Sequence, residues 1–357
     1  MRLHRIQVAN FRRHEHLVVD LCDATGQPRP LTLLVGPNMS GKTTVLDAVH
    51  IAYEAVRNQK NPSFRPGFDP SDPTIRPDPN QPIEIELCFS LHDGEWEAMN
   101  ELEKTLHGSL LVEKAPLYRF KLRYFGHGGD GMSSEVIEAE PQNAARALRG
   151  RAIAAIALQR RLVKEEVLDR IGGTLYLDQN RHGTLQSVDD RLDFARDALP
   201  GLPDPDVVGW LARASIQHAR WSEATRGESR WDRVRRLFRS LAAPAELHDV
   251  VPYDDGYDLE LRRGDHTYGM AGASSGERQI LRFAANLALF RAERSIVMLD
   301  ELELNLHPRW QRSLLRFCET GADDENQLIV STHSDVVLSY ADPSCVVTLG
   351  VPSGGWS

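Results

Sequence analysis

Gly36-Pro37-Asn38-Met39-Ser40-Gly41-Lys42-Thr43 decides how this chain folds. It has the form G-x-x-x-x-G-K-[ST]. Its glycines let the backbone curl so that successive N–H groups point at one anion, and the positive end of a following helix faces the same place. Ahead of it, Leu31 to Val35 is apolar except for Thr32, the pattern of a strand buried on both faces. Behind it, Val45, Leu46, Val49, Ile51 and Ala52 fall near helical spacing within Thr43 to Val56. Strand, glycine loop and helix in that order favour a phosphate site over a chance Gly-Ser turn. The expected ligand is ATP with Mg²⁺. Gly36, Pro37, Asn38, Ser40, Gly41 and Thr44 would surround its phosphates, Lys42 would reach the β- and γ-phosphates, and the Thr43 hydroxyl would take one Mg²⁺ position.

Two further segments fit the same nucleotide. Ile296-Val297-Met298-Leu299-Asp300-Glu301 is four apolar residues and then two acids. A buried strand would deliver the acids to its C-terminal edge, where ligands sit in open α/β sheets. Asp300 would hold Mg²⁺ through water, and Glu301 would polarise the attacking water. Read alone, the segment is equally a strand ending in a helix cap. Ser274-Ser275-Gly276-Glu277 opens a helical run and makes a second loop of backbone donors. One chain has little use for two such loops on one nucleotide, unless the second serves the nucleotide of another copy. His333, in Ser331-Thr332-His333-Ser334-Asp335, follows a buried-strand pattern; on its own it reads as a structural histidine.

These residues resemble the signature of ABC-type ATPases, Leu-Ser-Gly-Gly followed by Gln or Glu. Ala273 stands in the Leu position and Ser275 in the first Gly position, while Ser274 and Gly276 are kept. The form Asp300-Glu301-x-Glu303-x-x-Leu306-His307-Pro308, with Ile6-x-Val8-x-Asn10-Phe11-Arg12 at the start, is similar to ABC-like ATPases of the SMC/RecF and OLD (overcoming lysogenization defect) groups. The likeness covers residues 1 to 56 and 270 to 349. It implies an α/β fold of the P-loop NTPase, ABC-ATPase type: a mixed central sheet, an antiparallel β subdomain and a helical insert.

It also implies roles. Lys42, Glu301 and His333 would be catalytic, with His333 on the γ-phosphate. Ser274, Gly276 and Glu277 would face the nucleotide of a second copy in a head-to-tail homodimer, and Asn305 would lie in the loop that crosses the interface. Gln179, in Tyr176-Leu177-Asp178-Gln179-Asn180-Arg181, would sense Mg²⁺ and the γ-phosphate, the alternative being a surface-loop glutamine; Arg12 would touch the nucleotide. Such ATPases without an appended nuclease domain, as this chain is expected to be, often work with a nuclease or another toxic effector in antiphage defence. DNA repair of the RecF kind is the rival role. A transporter ATPase subunit is a further alternative, opposed by Glu303 to Pro308 and by the large insert.

Composition sets the frame. The 357 residues are 41% apolar and 26% charged, ordinary for a globular chain. No stretch nears the roughly 20 apolar residues that cross a bilayer, and Met1 to Ile6 lacks a signal-peptide run. The scattered Cys22, Cys88, Cys318 and Cys345 suit a reducing cytoplasm and argue against disulfides or zinc. A net charge of -9 leaves nucleic acid only a local patch. The candidate patch is Arg220, Arg226, Arg230, Arg233, Arg235, Arg236 and Arg239 around Trp221 and Trp231; a solvated helix face or a partner-docking surface are its other readings.

Three units are expected: 1–140, an N-terminal lobe with an antiparallel β subdomain and an exposed Pro-rich loop at 61–82; 141–247, a helical insert; and 248–357, a C-terminal lobe. Helix is expected over Ala144 to Leu168 and most of Asp189 to Leu241, broken at Pro200 to Pro205. A hairpin is expected at Asp254-Asp255-Gly256.

Overall fold

Parallel and antiparallel strands are both present, sorted into separate sheets. The computed structural model describes residues 1–57, 64, 68–107, 112–128, 131–178, 205–219, 228–253, 256–320 and 325–350. The chain opens with β1 (Arg2–Phe11) and β2 (His14–Asp20), enters the centre as β3 (Leu31–Val35), and leaves it through α1 (Lys42–Arg57). Then come β4 (Ile83–Ser90), α2 (Glu95–His107), β5 (Tyr118–Gly128) and β6 (Gly131–Glu140). After α3 (Gly150–Gln159), β7 (Thr174–Leu177) returns to the centre. Helices α4 (Pro205–His218) and α5 (Arg230–Ala242) precede β8 (Ala245–Tyr253), β9 (Gly256–Arg263) and β10 (His266–Gly269). The last stretch is α6 (Ser275–Phe290), β11 (Ile296–Leu299), α7 (Pro308–Glu319), β12 (Gln327–Ser331), α8 (Asp335–Tyr340) and β13 (Val346–Thr348).

The central sheet is parallel, in the order β13-β3-β12-β11-β7. Its strands are apolar on both faces, and alternate residues feed two cores. Leu34, Tyr176, Ile296, Met298 and Ile329 face the core shared with α1, α2, α3 and the antiparallel sheet β2-β1-β4-β5-β6. Leu33, Leu175, Leu177, Val297, Leu299 and Val330 face the core built with α4 to α7 and the small sheet β10-β9-β8. In β3, β11 and β12 every position is buried, Thr32, Gln327 and Ser331 being the polar members, as in a strand covered on both sides.

Several expectations need correcting. Ala144 to Leu168 is not one helix: a 3₁₀ turn over Ala144–Arg149 leads into α3, and a second 3₁₀ turn covers Glu165–Asp169. Arg161, at φ 57°, breaks the run between them. The hairpin partners extend to β8 and β9, with residues 254–255 outside the described set, and β10 adds a third strand. Of 61–82, residues 61–63 and 65–67 lie outside the described residues. The part from 68 onward is tied down rather than loose: the Asn10 side-chain amide donates to the carbonyls of Asp78 and Gln81, both at 2.9 Å, and Arg12 N donates to Ile75 O. Residues 189–204 and 220–227 also fall outside the description, so α4 and α5 are what is described of that helical reading.

One buried side chain joins the C-terminal end of α6 to the segment that leads into β7. Arg151 donates to the carbonyls of Leu168 and Ile171 from one guanidinium nitrogen and to those of Phe290 and Arg291 from the other. It lies 4.6 Å over the Phe290 ring, and burial lowers its pKa to about 10. Arg151→Leu would strip these carbonyls of their donor. A buried acceptor left unpaired costs on the order of 1–3 kcal/mol, so a total loss of about 3 kcal/mol is expected, read as a lower urea midpoint at unchanged slope. An unshifted midpoint would show that Arg151 is dispensable.

Candidate nucleotide site

Parallel register brings the motifs together. Leu299 pairs with Val330, so Asp300 and Ser331 leave adjacent strand ends side by side. Ser331 in turn pairs with Leu34, two residues before Gly36. The glycine loop, the acid pair and the histidine segment therefore meet at one carboxyl edge of the sheet, where such folds bind ligands. A cavity of about 270 Å³ opens there, lined by Arg12, Arg13 and His14 of the β1–β2 turn, by Asn38, Met39 and Gly41 to Thr44, and by Glu301, Ser331 and His333.

The loop is built for close approach. Gly36 sits at φ 152° and Gly41 at φ 101°. A Cβ on Gly36 would stand 2.4 Å from Leu349 O, and one on Gly41 would stand 2.6 Å from His14 Nε2. Lys42 Nζ donates to Gly36 O at 2.8 Å and to Pro37 O at 2.9 Å. Burial pushes the Lys42 pKa below the usual value, against the pull of Asp300, Glu301 and Glu303.

The acid corner is hydrogen-bonded throughout. Thr43 Oγ1 donates to Asp300 Oδ1 at 3.1 Å, and Ser331 Oγ donates to the same oxygen at 2.6 Å. Ser331 Oγ also accepts from Glu301 N at 2.8 Å. One hydroxyl and one buried carboxylate at the mouth of a phosphate loop suit Mg²⁺, a hard cation that keeps most of its waters. Glu301 lies at φ 50°, a left-handed backbone that non-glycine residues hold only under constraint. Burial, with Asp300 and Glu303 beside it, raises the Glu301 pKa; His333 and Lys42 oppose the rise.

The remaining sequence candidates fall into place unevenly. Arg12 lines the cavity, pairs with buried Asp47 of α1, and stacks its guanidinium 5.5 Å from both Phe11 and Phe68. His333 is exposed at the cavity. Ser274 caps α6 and is exposed, but neither it nor any residue from 273 to 277 lines this cavity. Ser274 N and Oγ both donate to Glu277 Oε2 at 2.8 Å, while Glu277 Oε1 accepts from Arg263 at 2.8 Å and from Tyr268 at 2.7 Å. The Glu277 carboxylate is thus engaged inside its own subunit. Gly276 is buried under Trp310, where a Cβ would meet the ring at 2.3 Å.

Gln179, Arg220, Trp221 and Arg226 lie outside the described residues. The rest of the arginine cluster is occupied: Arg233 pairs with Glu293 at 2.7 Å, Arg236 with Glu228 at 2.8 Å and Arg239 with Glu246 at 3.3 Å. Arg235 bonds Leu247 O at 3.2 Å, and Trp231 is in the core. Sequence reasoning gave no role to Ser331, Glu303, Asp47 or His14. Ser331 had a signal, a hydroxyl at the end of a buried strand; the others are joined to the site by contacts distant in sequence.

Fold and site together define a P-loop nucleotide-binding protein with the fold of ABC-type ATPases. The chain belongs to the family described as "AAA domain, putative AbiEii toxin, Type IV TA system", whose model matches residues 147–339. A second family model, described as "AAA domain", matches residues 5–167. Two curated relatives share short segments. The DNA replication and repair protein RecF of Chlorobium phaeobacteroides is 48% identical over 50 residues, and that of Chlorobium luteolum is 51% identical over 51 residues. Each segment is 14% of this chain and spans 12% of the relative's length.

Among solved structures, the Smc head bound to the C-winged helix domain of ScpA matches at a TM-score of 0.54 and 14% identity, over 98% of this chain and 94% of that one. The Smc head with an extended coiled coil bound to the C-terminal domain of ScpA, from Pyrococcus furiosus, matches at 0.53 and 13%, over 97% and 93%. Identities this low speak to the fold alone. No helix among the described residues is long and apolar enough to cross a membrane.

Proposed function

We propose that the chain is an ATP-hydrolysing switch whose sites are completed by a second copy. One observation carries this reading. The phosphate loop, Glu301 and His333 line one cavity, with buried Asp300 hydrogen-bonded to Thr43 and Ser331 of its lining, while Ser274 stands exposed at a helix start outside it. In the proposed head-to-tail dimer, Ser274 and the α6 N-terminus of one copy face the phosphates held by the other. Lys42 and the loop amides hold the β- and γ-phosphates, Thr43 and Asp300 fix the metal corner, Glu301 takes the proton of the attacking water, and His333 steadies the γ-phosphate. Mg²⁺, when bound, would neutralise charge on the phosphate oxygens. Gln179 stays a candidate for sensing the metal and γ-phosphate. Loss of the γ-phosphate removes the bridge between copies, and the dimer opens.

For the process driven, RecF-type genome maintenance draws support from the two RecF segments. Coupling to a toxic effector in antiphage defence draws support from the toxin–antitoxin wording of the family description. The span 141–247 would carry the change outward to such a partner, placed in the cytoplasm. DNA contact through 220–239 is the secondary reading, since Arg233, Arg236 and Arg239 are already paired with acids of this chain.

Turnover itself tests the shared site. Phosphate release should need Mg²⁺ and vanish with a chelator. At low protein concentration the rate per chain should rise with concentration, because active sites form only in the dimer. A rate per chain that is independent of concentration down to the nanomolar range would overturn the shared site while leaving the ATPase intact.

A further inference from the structure

We propose that Glu303 is a positioning residue for His333: one carboxylate sets where the imidazole stands in the nucleotide cavity. The inference rests on the proposed action of His333 on the γ-phosphate. It is carried by two hydrogen bonds between segments that follow different strands. Glu303 Oε1 accepts from His333 N at 2.6 Å, and Glu303 Oε2 accepts from the Thr332 hydroxyl at 2.7 Å. Both are at the short end for bonds to a carboxylate, as charge assistance gives. Thr332 Oγ1 also accepts from Ser334 N at 3.1 Å, so the turn that presents His333 hangs on the Glu303 carboxylate.

Beyond its charge interaction with Glu301, the imidazole is placed by its backbone. His333 is exposed, whereas Thr332 before it is fully buried. Its backbone is therefore where control lies, and Glu303 holds that backbone from the loop that also carries Glu301.

Other ties bind the same two segments. Leu302 N donates to Ser331 O at 3.1 Å. The buried Gln311 donates to Leu306 O at 2.9 Å and accepts from the Ser334 hydroxyl at 2.7 Å. Asn305, exposed and at φ 58°, is the tip of the loop held in this way.

The test is a cycle of Glu303→Ala, His333→Ala and the double variant, reading kcat for ATP and separately the affinity for a fluorescent ATP analogue. Glu303→Ala should lower kcat by about tenfold or more, as expected for a misplaced catalytic group, with analogue affinity close to the parent's. The double variant should be no slower than His333→Ala, because the histidine that Glu303 places is already gone. Glu303→Gln keeps an acceptor for His333 N and should recover most of the rate. Thr332→Val keeps the shape, removes the bond to Glu303 and the one accepted from Ser334 N, leaves the Glu303 bond to His333 N in place, and should be likewise silent in the His333→Ala background. Losses that multiply in the double variant overturn this inference alone. An unimpaired His333→Ala overturns it together with the proposed role of His333.

Discussion

Glu301→Gln should bind ATP, persist as a dimer in its presence, and release phosphate about 100-fold or more slowly than the parent chain, the range for losing a general base. The substitution changes charge and little else. Glutamine keeps the length of the side chain, and the backbone N–H that reaches Ser331 Oγ at 2.8 Å is untouched. The metal corner, Thr43 and Ser331 on Asp300, does not pass through the Glu301 side chain. Binding should therefore survive while water activation fails. The assignment rests on place: Glu301 lines the cavity beside Lys42, Thr43 and His333. Dimer persistence is the second half of the result. If the γ-phosphate bridges two copies, a variant that cannot remove it should accumulate the bridged form, seen as an ATP-dependent shift on a sizing column. Parental turnover would remove Glu301 from the mechanism. Slow turnover with a monomer at every ATP concentration would keep Glu301 and discard the bridge.

The sequence revealed most where chemistry and local structure coincide. Buried apolar runs end in the glycine loop, in Asp300-Glu301 and in the histidine turn, and each run is a strand of the parallel sheet. Strand order and register did not follow from the sequence. Nothing in Leu299 or Val330 says that they pair, so the bond from Ser331 to Asp300 could not be foreseen. Glu303 was visible only as part of a family pattern, because its partners lie about thirty residues away in the turn that follows β12. The helix α2 does carry a signal, with Trp96, Met99, Leu102 and Leu106 at helical spacing, but the strand alternation on either side hides it. For β10, four residues of intermediate or exposed character offer no pattern at all. Within 141–247, Gly173 to Leu177 reads as a short strand and is one, β7, but nothing in it says that it completes the central sheet beside β11. A four-residue strand takes its place from its neighbours, and those come from the far end of the chain.

Ser274→Tyr should lose turnover while keeping ATP affinity, and mixing it with Lys42→Ala should bring turnover back. Ser274 is exposed and outside the cavity of its own subunit, so a bulky ring there leaves the local phosphate loop alone. It does cost the cap: Ser274 Oγ accepts from Glu277 N at 3.2 Å, and loss of such a cap costs about 1 kcal/mol. The remaining hold on the turn, Glu277 to Arg263 and Tyr268, does not involve Ser274. A small drop in stability with intact nucleotide binding is thus the background against which activity is read. The mixture is decisive because the two defects lie on opposite halves of one proposed site. In a heterodimer, the Lys42→Ala chain lends its intact Ser274 to the intact phosphate loop of the Ser274→Tyr chain, and the other site carries both lesions. Random pairing of two equal populations gives half heterodimers with one good site in two, so about a quarter of parental turnover is the ceiling for a twofold dimer. If both sites must close for either to fire, recovery is smaller but still above either variant alone. Two variants that stay inactive in every proportion, though each still dimerises, would mean that the α6 N-terminus serves no nucleotide but its own subunit's. Ser274→Tyr with parental turnover would mean that it serves none.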